Sequence, residues 1–155
     1  MEHDEMTIRK AKHEDLAAIV HMLSDDELGS KREDYRQPLP KAYEEAFNSI
    51  NKDKNQELMV VTNARGEVVG TLQLTFIQYL TYKGGVRTQI EAVRIRKDQR
   101  GKGLGKELFE WVINRSKARG AHVLQLTTDK QRPDAIHFYE DLGFVASHEG
   151  MKIHF

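Results

Sequence analysis

A short loop rich in glycine and positive charge lies between an apolar strand-like segment, residues 89–96, and a segment of helical periodicity from about Gly103 to Arg119. The loop comprises Arg100, Gly101, Lys102, Gly103, Leu104, Gly105 and Lys106. At such a junction the first backbone N–H groups of the helix have no intrahelical partner, and the helix dipole adds partial positive charge. Glycine also lets the backbone approach a ligand closely. The loop therefore predicts a site for a phosphate or pyrophosphate group.

Two common nucleotide-binding motifs do not match the spacing of this loop. If a Walker A motif ended at Gly105 and Lys106, its first glycine would fall on Arg100 and its hydroxyl residue on Glu107. A Gly-x-Gly-x-x-Gly fingerprint that began at Gly101 would place its third glycine on Lys106. Both nucleotide interpretations are therefore excluded by spacing.

Length and composition favour a single globular domain. We predict one domain over residues 1–155, because this length suits one hydrophobic core. The formal net charge is zero, so we expect no general attraction to nucleic acid or to an anionic membrane. The absence of cysteine excludes a cysteine nucleophile and thiolate metal sites, and the histidines lack a metal-binding spacing, so we expect no metal. The polar, acidic residues 1–6 and the lack of a long apolar run predict a cytoplasmic protein.

The hydrophobic periodicity predicts the element order β-α-α-β-β-β-α-β-α-β. Strands are predicted at residues 7–11, 57–63, 68–79, 86–96 and 122–128, with one or two more within 144–155. Helices are predicted from about residue 13, with a stripe of apolar residues at 16, 19, 20 and 23, and at 41–51, 103–119 and 133–141. The polar segment 25–37 is predicted to be a loop or a frayed helix end. Three hairpin-linked strands followed by a β-α-β crossover indicate an α+β fold, with the strands near Val93 and Leu124 as its parallel pair.

Two motifs together resemble one protein family. The spacing Arg100-x-x-Gly103-x-Gly105 resembles the pyrophosphate loop of the GNAT family, the Gcn5-related N-acetyltransferases. The segment 135–144, Ala-Ile-His-Phe-Tyr-Glu-Asp-Leu-Gly-Phe, is similar to that family's Ala-x-x-Phe-Tyr-x-x-x-Gly-Phe signature. The two motifs occur in the family's order, and the resemblance extends over essentially the whole chain. It implies a mixed, mostly antiparallel central sheet of about six to seven strands flanked by about four helices.

The resemblance also implies a reaction. The chain is expected to be an N-acetyltransferase that moves an acetyl group from acetyl-CoA to a primary amine by direct transfer in a ternary complex. The acceptor stays open between a small-molecule amine and the amine of a peptide. The alternative is a non-catalytic sensor that binds acyl-CoA on the same fold. Because members of the family are often dimers, a homodimer is possible.

For acetyl-CoA, the resemblance assigns the pyrophosphate to Arg100 and the loop Gly101–Lys106, and the pantetheine amides to the backbone of Val93 and Ile95. Where the family often has an asparagine that contacts the pantetheine arm, this chain has Arg132, which we expect to reach a CoA phosphate instead.

Two further residues are candidates for proton transfer. Tyr139 stands at the family's general-acid position, although a tyrosine there also packs against Phe138. Strand alternation predicts that Glu91 shares a face with Val93 and Ile95, where a carboxylate would bind the acceptor ammonium or accept its proton. The alternative is an ion pair with Arg87 or Arg94. The acidic side chains of segment 25–37 either attract a cationic amine or form a solvated face; they are Asp25, Asp26, Glu27 and Asp34.

Overall fold

The computed structural model describes residues 5–155, with residue 133 described by its backbone alone. The first four residues, which belong to the segment that predicted a cytoplasmic protein, lie outside the described range. The described chain contains one sheet of five strands: β1 Thr7–Lys10, β2 Gln56–Thr62, β3 Val68–Gln78, β4 Val86–Ile95 and β5 Val123–Gln125. It also contains six helices: α1 Leu16–Ser24, α2 Glu27–Arg32, α3 Lys41–Lys52, α4 Thr81–Gly84, α5 Leu104–Ala118 and α6 Pro133–Asp141.

The sheet follows the chain order from β1 to β5. Neighbouring strands are antiparallel from β1 to β4, and β4 pairs in parallel with β5 through the crossover helix α5. The predicted meander and crossover are therefore confirmed. The parallel ladder joins Thr88 to Leu124 and ends at Gln89 and Gln125. The strands near Val93 and Leu124 are thus the parallel pair, as predicted, although Val93 itself lies beyond the ladder because β5 is only three residues long.

Apolar side chains cover both faces of the sheet. On one face α5 contributes Leu108, Phe109 and Val112, each at most 1% exposed. On the other face the predicted apolar stripe of α1, which includes Val20, packs with Phe47 of α3. Burying one such side chain contributes about 1.5–3 kcal/mol, so both helical layers are held to the sheet mainly by hydrophobic contacts. No helix in the described range has the length and apolar character that a membrane crossing requires.

Two chain segments differ from their prediction. The polar segment 25–37 contains the short helix α2, which begins after Asp26 because that carboxylate accepts the N–H of Gly29. Residues 144–155 form no strand, so the sheet has five strands instead of six to seven. Met151, Ile153 and other apolar side chains of this segment are exposed. Alternating apolar residues indicate that a segment can form a strand, but they do not provide a neighbouring strand edge in register.

Candidate active site

The glycine loop leads from β4 into the N-terminus of α5. Gly101 has φ 77° and Gly103 has φ 82°, in the left-handed region that favours glycine. A Cβ atom added to either residue would meet no atom within 4 Å. The backbone conformation therefore requires glycine at both positions, and the space beside them is open.

Gly105 serves a different purpose. A Cβ atom at this position would lie 3.2 Å from Cζ of Phe138 and 3.5 Å from Cδ1 of Ile95. The missing side chain therefore lets α6 approach the first turn of α5. This contact brings the two sequence motifs, the glycine loop and the Phe138-Tyr139 segment, next to each other in space.

The loop presents a row of free hydrogen-bond donors. Within residues 5–155, no backbone N–H from Gly101 to Lys106 donates a hydrogen bond, and the ladder of α5 begins with the N–H of Glu107. The cationic side chains beside these donors, Arg100, Lys102 and Lys106, are exposed. Arg100 Nε donates to the carbonyl oxygen of Ile95 at 2.9 Å, which ties the loop to the end of β4. Backbone donors and exposed cations together suit a ligand with several anionic oxygens.

Beyond Gln89, β4 continues to Ile95 without a strand on its β5 side. The N–H of Arg96 donates to the carbonyl oxygen of Val69 on β3, so alternation directs the backbone groups of Val93 and Ile95 toward the gap between β4 and β5. The Val93 carbonyl accepts from Arg94 Nη1 at 2.9 Å instead of from β3. This part of β4 is an open strand edge, which an extended ligand can join by hydrogen bonds.

A bulge interrupts β4 at Ala92, where φ is 55° and the register with β3 shifts between Thr71 and Gln73. Ile90 before the bulge and Val93 after it both pack into the core under α5. Glu91 therefore lies on the face opposite Val93 and Ile95, and the register that we predicted for it is wrong, because a bulge inserts one residue into the alternation. Glu91 is exposed and makes no ion pair with the rest of the described chain, including Arg87 and Arg94.

The Tyr139 ring packs with Phe109, Phe138 and Phe144, at centroid distances of 5.7, 5.4 and 5.8 Å. Its hydroxyl makes no hydrogen bond with any described residue. Burial raises the pKa of the Tyr139 phenol, and the cations of Arg132 and Arg94 offset part of this rise. The phenol is therefore protonated at neutral pH, as a proton donor to a leaving group must be. The packing interpretation and the acid interpretation are compatible.

Arg132 contacts Asp26 at the start of α2. Its Nη2 atom lies 2.8 Å from Asp26 Oδ2, and Nε of Arg94 lies 3.6 Å from the same oxygen. Burial raises the pKa of Asp26, but the Gly29 N–H and Arg132 together lower it by more. The net shift of the Asp26 pKa is downward, so the carboxylate stays ionised. A cleft of about 180 Å³ adjoins this cluster; it is lined by Asp26, Glu27, Leu28, Gln131 and Arg132.

The remaining acidic residues of segment 25–37 are also mostly paired. Asp25 lies 3.6 Å from Lys97, and Asp34 lies 3.4 Å from Arg36. Cations of the chain itself thus compensate the charges that were expected to attract a cationic amine.

The cluster of Asp26, Arg94 and Arg132 was missed in the sequence, since its members are far apart in the chain and follow no motif. Within the described part of the chain, no three His, Asp or Glu side chains form a group suited to a metal ion.

Comparisons with known proteins identify the family and support the fold. The model of the acetyltransferase (GNAT) family matches residues 19–144. An L-methionine sulfoximine/L-methionine sulfone acetyltransferase from Pseudomonas aeruginosa is 29% identical, over 91% of this chain and 81% of that protein. An aminoalkylphosphonate N-acetyltransferase from Salmonella typhimurium is 26% identical, over 91% of this chain and 86% of that protein. A crystal structure described as a transcriptional regulator from Bacillus halodurans C-125 is 58% identical, with a TM-score of 0.94 over 97% of this chain and 100% of that chain.

Proposed function

Because the chain belongs to the acetyltransferase (GNAT) family and its relatives are named as acetyltransferases, we propose that it moves the acetyl group of acetyl-CoA directly to the primary amine of a small molecule. The names of the Pseudomonas aeruginosa and Salmonella typhimurium relatives refer to small-molecule acceptors, methionine sulfoximine and an aminoalkylphosphonate. This similarity favours a small molecule over a peptide as the acceptor.

The observation that carries the proposal is the row of unpartnered N–H groups from Gly101 to Lys106 beside the open edge of β4. In the proposed complex these donors, with Arg100, Lys102 and Lys106, hold the pyrophosphate of acetyl-CoA. The backbone groups of Val93 and Ile95 pair with the pantetheine amides in the gap between β4 and β5. The pantetheine arm then leads the thioester from the loop toward Tyr139.

The transfer requires three proton movements around one exchange of a C–S bond for a C–N bond. The acceptor ammonium first loses a proton, and its nitrogen then attacks the thioester carbon, so that a C–N bond forms and the C–S bond breaks. Tyr139 donates its phenolic proton to the departing sulfur, which leaves as the thiol of CoA. The amine nitrogen loses its second proton to restore Tyr139, and the net reaction releases one proton. Glu91 is exposed on the face of β4 opposite Val93 and Ile95, and it is the proposed acceptor of the first proton from the ammonium.

The test is the release of CoA thiol when the purified protein is mixed with acetyl-CoA and a panel of amines. Since the chain contains no cysteine, every thiol that a colorimetric reagent detects comes from CoA. Amine-dependent release with intersecting initial-rate lines supports direct transfer. Parallel lines, which are typical of a ping-pong reaction, indicate a covalent acyl-enzyme instead.

A second candidate function follows from the 58% identical structure described as a transcriptional regulator. In that case the chain binds acetyl-CoA as a signal and does not turn it over. A thermal-shift assay with acetyl-CoA is positive for both functions, because any ligand of the folded state raises the melting temperature. Thiol release is positive only for the enzyme. Stabilisation by acetyl-CoA without thiol release from any amine would favour the sensor.

A further inference from the structure

The bulge at Ala92 brings the side chains of Glu91 and Arg94 to the same face of β4. Because Ile90 and Val93 both face the core under α5, Glu91 and Arg94 both point to the opposite face of β4. A regular strand would place residues three apart on opposite faces. Their partners on β3, Gln73 and Thr71, are two residues apart, so the backbone positions of Glu91 and Arg94 are about 7 Å apart. An anion and a cation thus stand side by side on one surface.

Arg94 is held in place but not fully paired. Its side chain is 14% exposed, and its Nη1 atom donates to the carbonyl oxygen of Val93. Its Nε atom is buried and has no hydrogen-bond partner in the described chain, because the nearest carboxylate oxygen, Asp26 Oδ2, lies 3.6 Å away. A buried donor without a partner is uncommon in a folded protein, and Arg94 Nε is therefore available to an acceptor atom of a bound molecule.

Arg132 adds a second guanidinium to this site. Asp26 forms an ion pair with Arg132 at 2.8 Å and is the carboxylate nearest to both guanidiniums. Two cations therefore share one carboxylate, so the cluster of Asp26, Arg94 and Arg132 has one positive charge in excess, and no ion pair in the described chain joins either guanidinium to Glu27 or Glu91. Arg32, which also acts electrostatically on Arg94, is paired with Glu33. The site can accept one more negative charge.

Tyr139, the proposed proton donor to the thioester sulfur, relates the positive charge of Arg94 and Arg132 to the reacting atoms. Arg132 immediately precedes α6, the helix that carries Tyr139, and Arg94 follows Val93, which packs with the Tyr139 ring against the same core cluster. Both cations also lower the pKa of the Tyr139 phenol. In the proposed reaction this phenol protonates the sulfur that the acceptor amine displaces. A group one or two bonds from that amine would therefore lie within reach of the guanidiniums, and Glu91 faces the same side with its carboxylate free.

Building on the proposed function, we propose that the acceptor is a small zwitterion with an anionic oxyacid group next to its amino group. Arg94 and Arg132 bind the oxyacid, with Arg94 Nε as the donor that now lacks a partner, and Glu91 binds the ammonium. Arg132 thus serves the acceptor in this proposal, and not a CoA phosphate as expected from the sequence. A carboxylate and a phosphonate share this chemistry. Polycationic amines are disfavoured, because they would place positive charge against two guanidiniums.

The first experiment compares matched acceptors in the thiol-release assay. L-Amino acids are tested against their α-amides, aminoalkylphosphonates against the corresponding amino alcohols, and spermidine serves as the polycation. Removal of the anionic group is expected to lower kcat/KM about 10- to 100-fold, the value of one or two charge-assisted hydrogen bonds. The two pairs of compounds distinguish a carboxylate from a phosphonate. Amides, alcohols or spermidine that react as well as the oxyacids would overturn the inference but leave the proposed function intact.

The second experiment tests whether Arg94 binds the oxyacid group of the acceptor. Arg94→Met is expected to raise KM for the best acceptor about 10- to 100-fold and to leave KM for acetyl-CoA unchanged, with partial recovery in Arg94→Lys. Arg65→Met, which removes an exposed arginine at the β2–β3 turn, is the matched control and should change neither value. A rise in KM for acetyl-CoA alone would assign Arg94 to a CoA phosphate and overturn the inference.

Folding and function are separated by thermal melting in the same buffers. If Arg94→Met does not fold, Arg132→Gln and Arg94→Lys supply the same comparison between the two KM values. The absence of thiol release with every acceptor, despite stabilisation by acetyl-CoA, would contradict the proposed function and this inference together. Turnover restricted to amines without an anionic group contradicts the inference alone.

Discussion

Arg115 of α5 forms a two-point ion pair with Glu57 of β2. Nε of Arg115 lies 2.8 Å from Oε1 of Glu57, and Nη2 lies 2.9 Å from Oε2. The carboxylate is 9% exposed and the guanidinium is 36% exposed. Since the glycine loop is at the other end of α5, this pair helps to fix the orientation of the helix that carries the proposed pyrophosphate site.

Loss of this arginine should destabilise the fold. Arg115→Met leaves the Glu57 carboxylate without a partner, and we expect the free energy of unfolding to fall by about 1–3 kcal/mol, since the arginine is partly exposed to solvent. The measurement is urea denaturation followed by circular dichroism. The double variant with Glu57→Met should recover most of the loss, because it replaces a buried pair by apolar side chains. A single variant as stable as the original chain would show that the pair contributes nothing.

Tyr139→Phe should affect turnover and not binding. The ring still packs with Phe109 and Phe144, but the proton donor is lost, so kcat should fall about 100-fold or more while KM for acetyl-CoA is unchanged. Tyr82→Phe, at the far end of the β3–β4 hairpin, is the control and should retain full activity. Unchanged turnover in Tyr139→Phe would remove the acid role from this residue.

The pH dependence of kcat should follow the raised pKa of Tyr139. Burial outweighs the effect of Arg132 and Arg94, so the phenol keeps its proton above the ordinary tyrosine pKa of about 10. Because the reaction needs the protonated form, kcat should not decline between neutral pH and about pH 10. A decline within this range that disappears in Tyr139→Phe would contradict the direction of the shift.

Gly103→Ala should weaken acetyl-CoA binding and reduce stability. At φ 82° an alanine costs about 1–2 kcal/mol, or else the loop changes its conformation and its N–H groups turn away from the ligand. Gly66→Ala is a matched control, since Gly66 has φ 78° and a Cβ there also meets no atom within 4 Å. Calorimetric titration and denaturation should show a similar stability loss in both variants, with weaker binding only in Gly103→Ala. Equal affinities would argue against the loop as the pyrophosphate site.

Asp15→Asn should lower stability in a pH-dependent manner. The carboxylate accepts two hydrogen bonds from Arg9, at 2.7 and 3.0 Å, and one from the N–H of Lys12 at 2.7 Å. Burial raises the pKa of Asp15, but these hydrogen bonds together lower it by more, so the net shift of the pKa is downward. The stabilisation is therefore complete above the unfolded pKa of about 4 and is lost as pH falls through the folded pKa. We expect Asp15→Asn to cost about 2 kcal/mol at neutral pH and the difference between the two proteins to narrow in acid. A constant difference across that range would contradict the assignment.

The sequence by itself determined the features that depend on residues close together in the chain. The apolar stripe of α1 at 16, 19, 20 and 23 and the hairpin turns predicted the helix and the meander, because helical and strand periods are local. The spacing of Arg100, Gly103 and Gly105, together with the Phe138-Tyr139 motif, was sufficient to predict the family.

Only the tertiary structure decided which side chains meet at the site. Alanine is not a residue that signals a left-handed conformation, so nothing in the sequence indicated the bulge at Ala92 that moves Glu91 to the face of Arg94. The cluster of Asp26, Arg94 and Arg132 joins α2, β4 and the start of α6, and such contacts exist only after the chain has folded. The same holds for residues 144–155, whose alternating apolar residues predict a strand but whose pairing needs an adjacent edge in register. Local period and spacing therefore specified most of the elements and the loop proposed to bind acetyl-CoA, whereas the fold determined the surface proposed to face the acceptor.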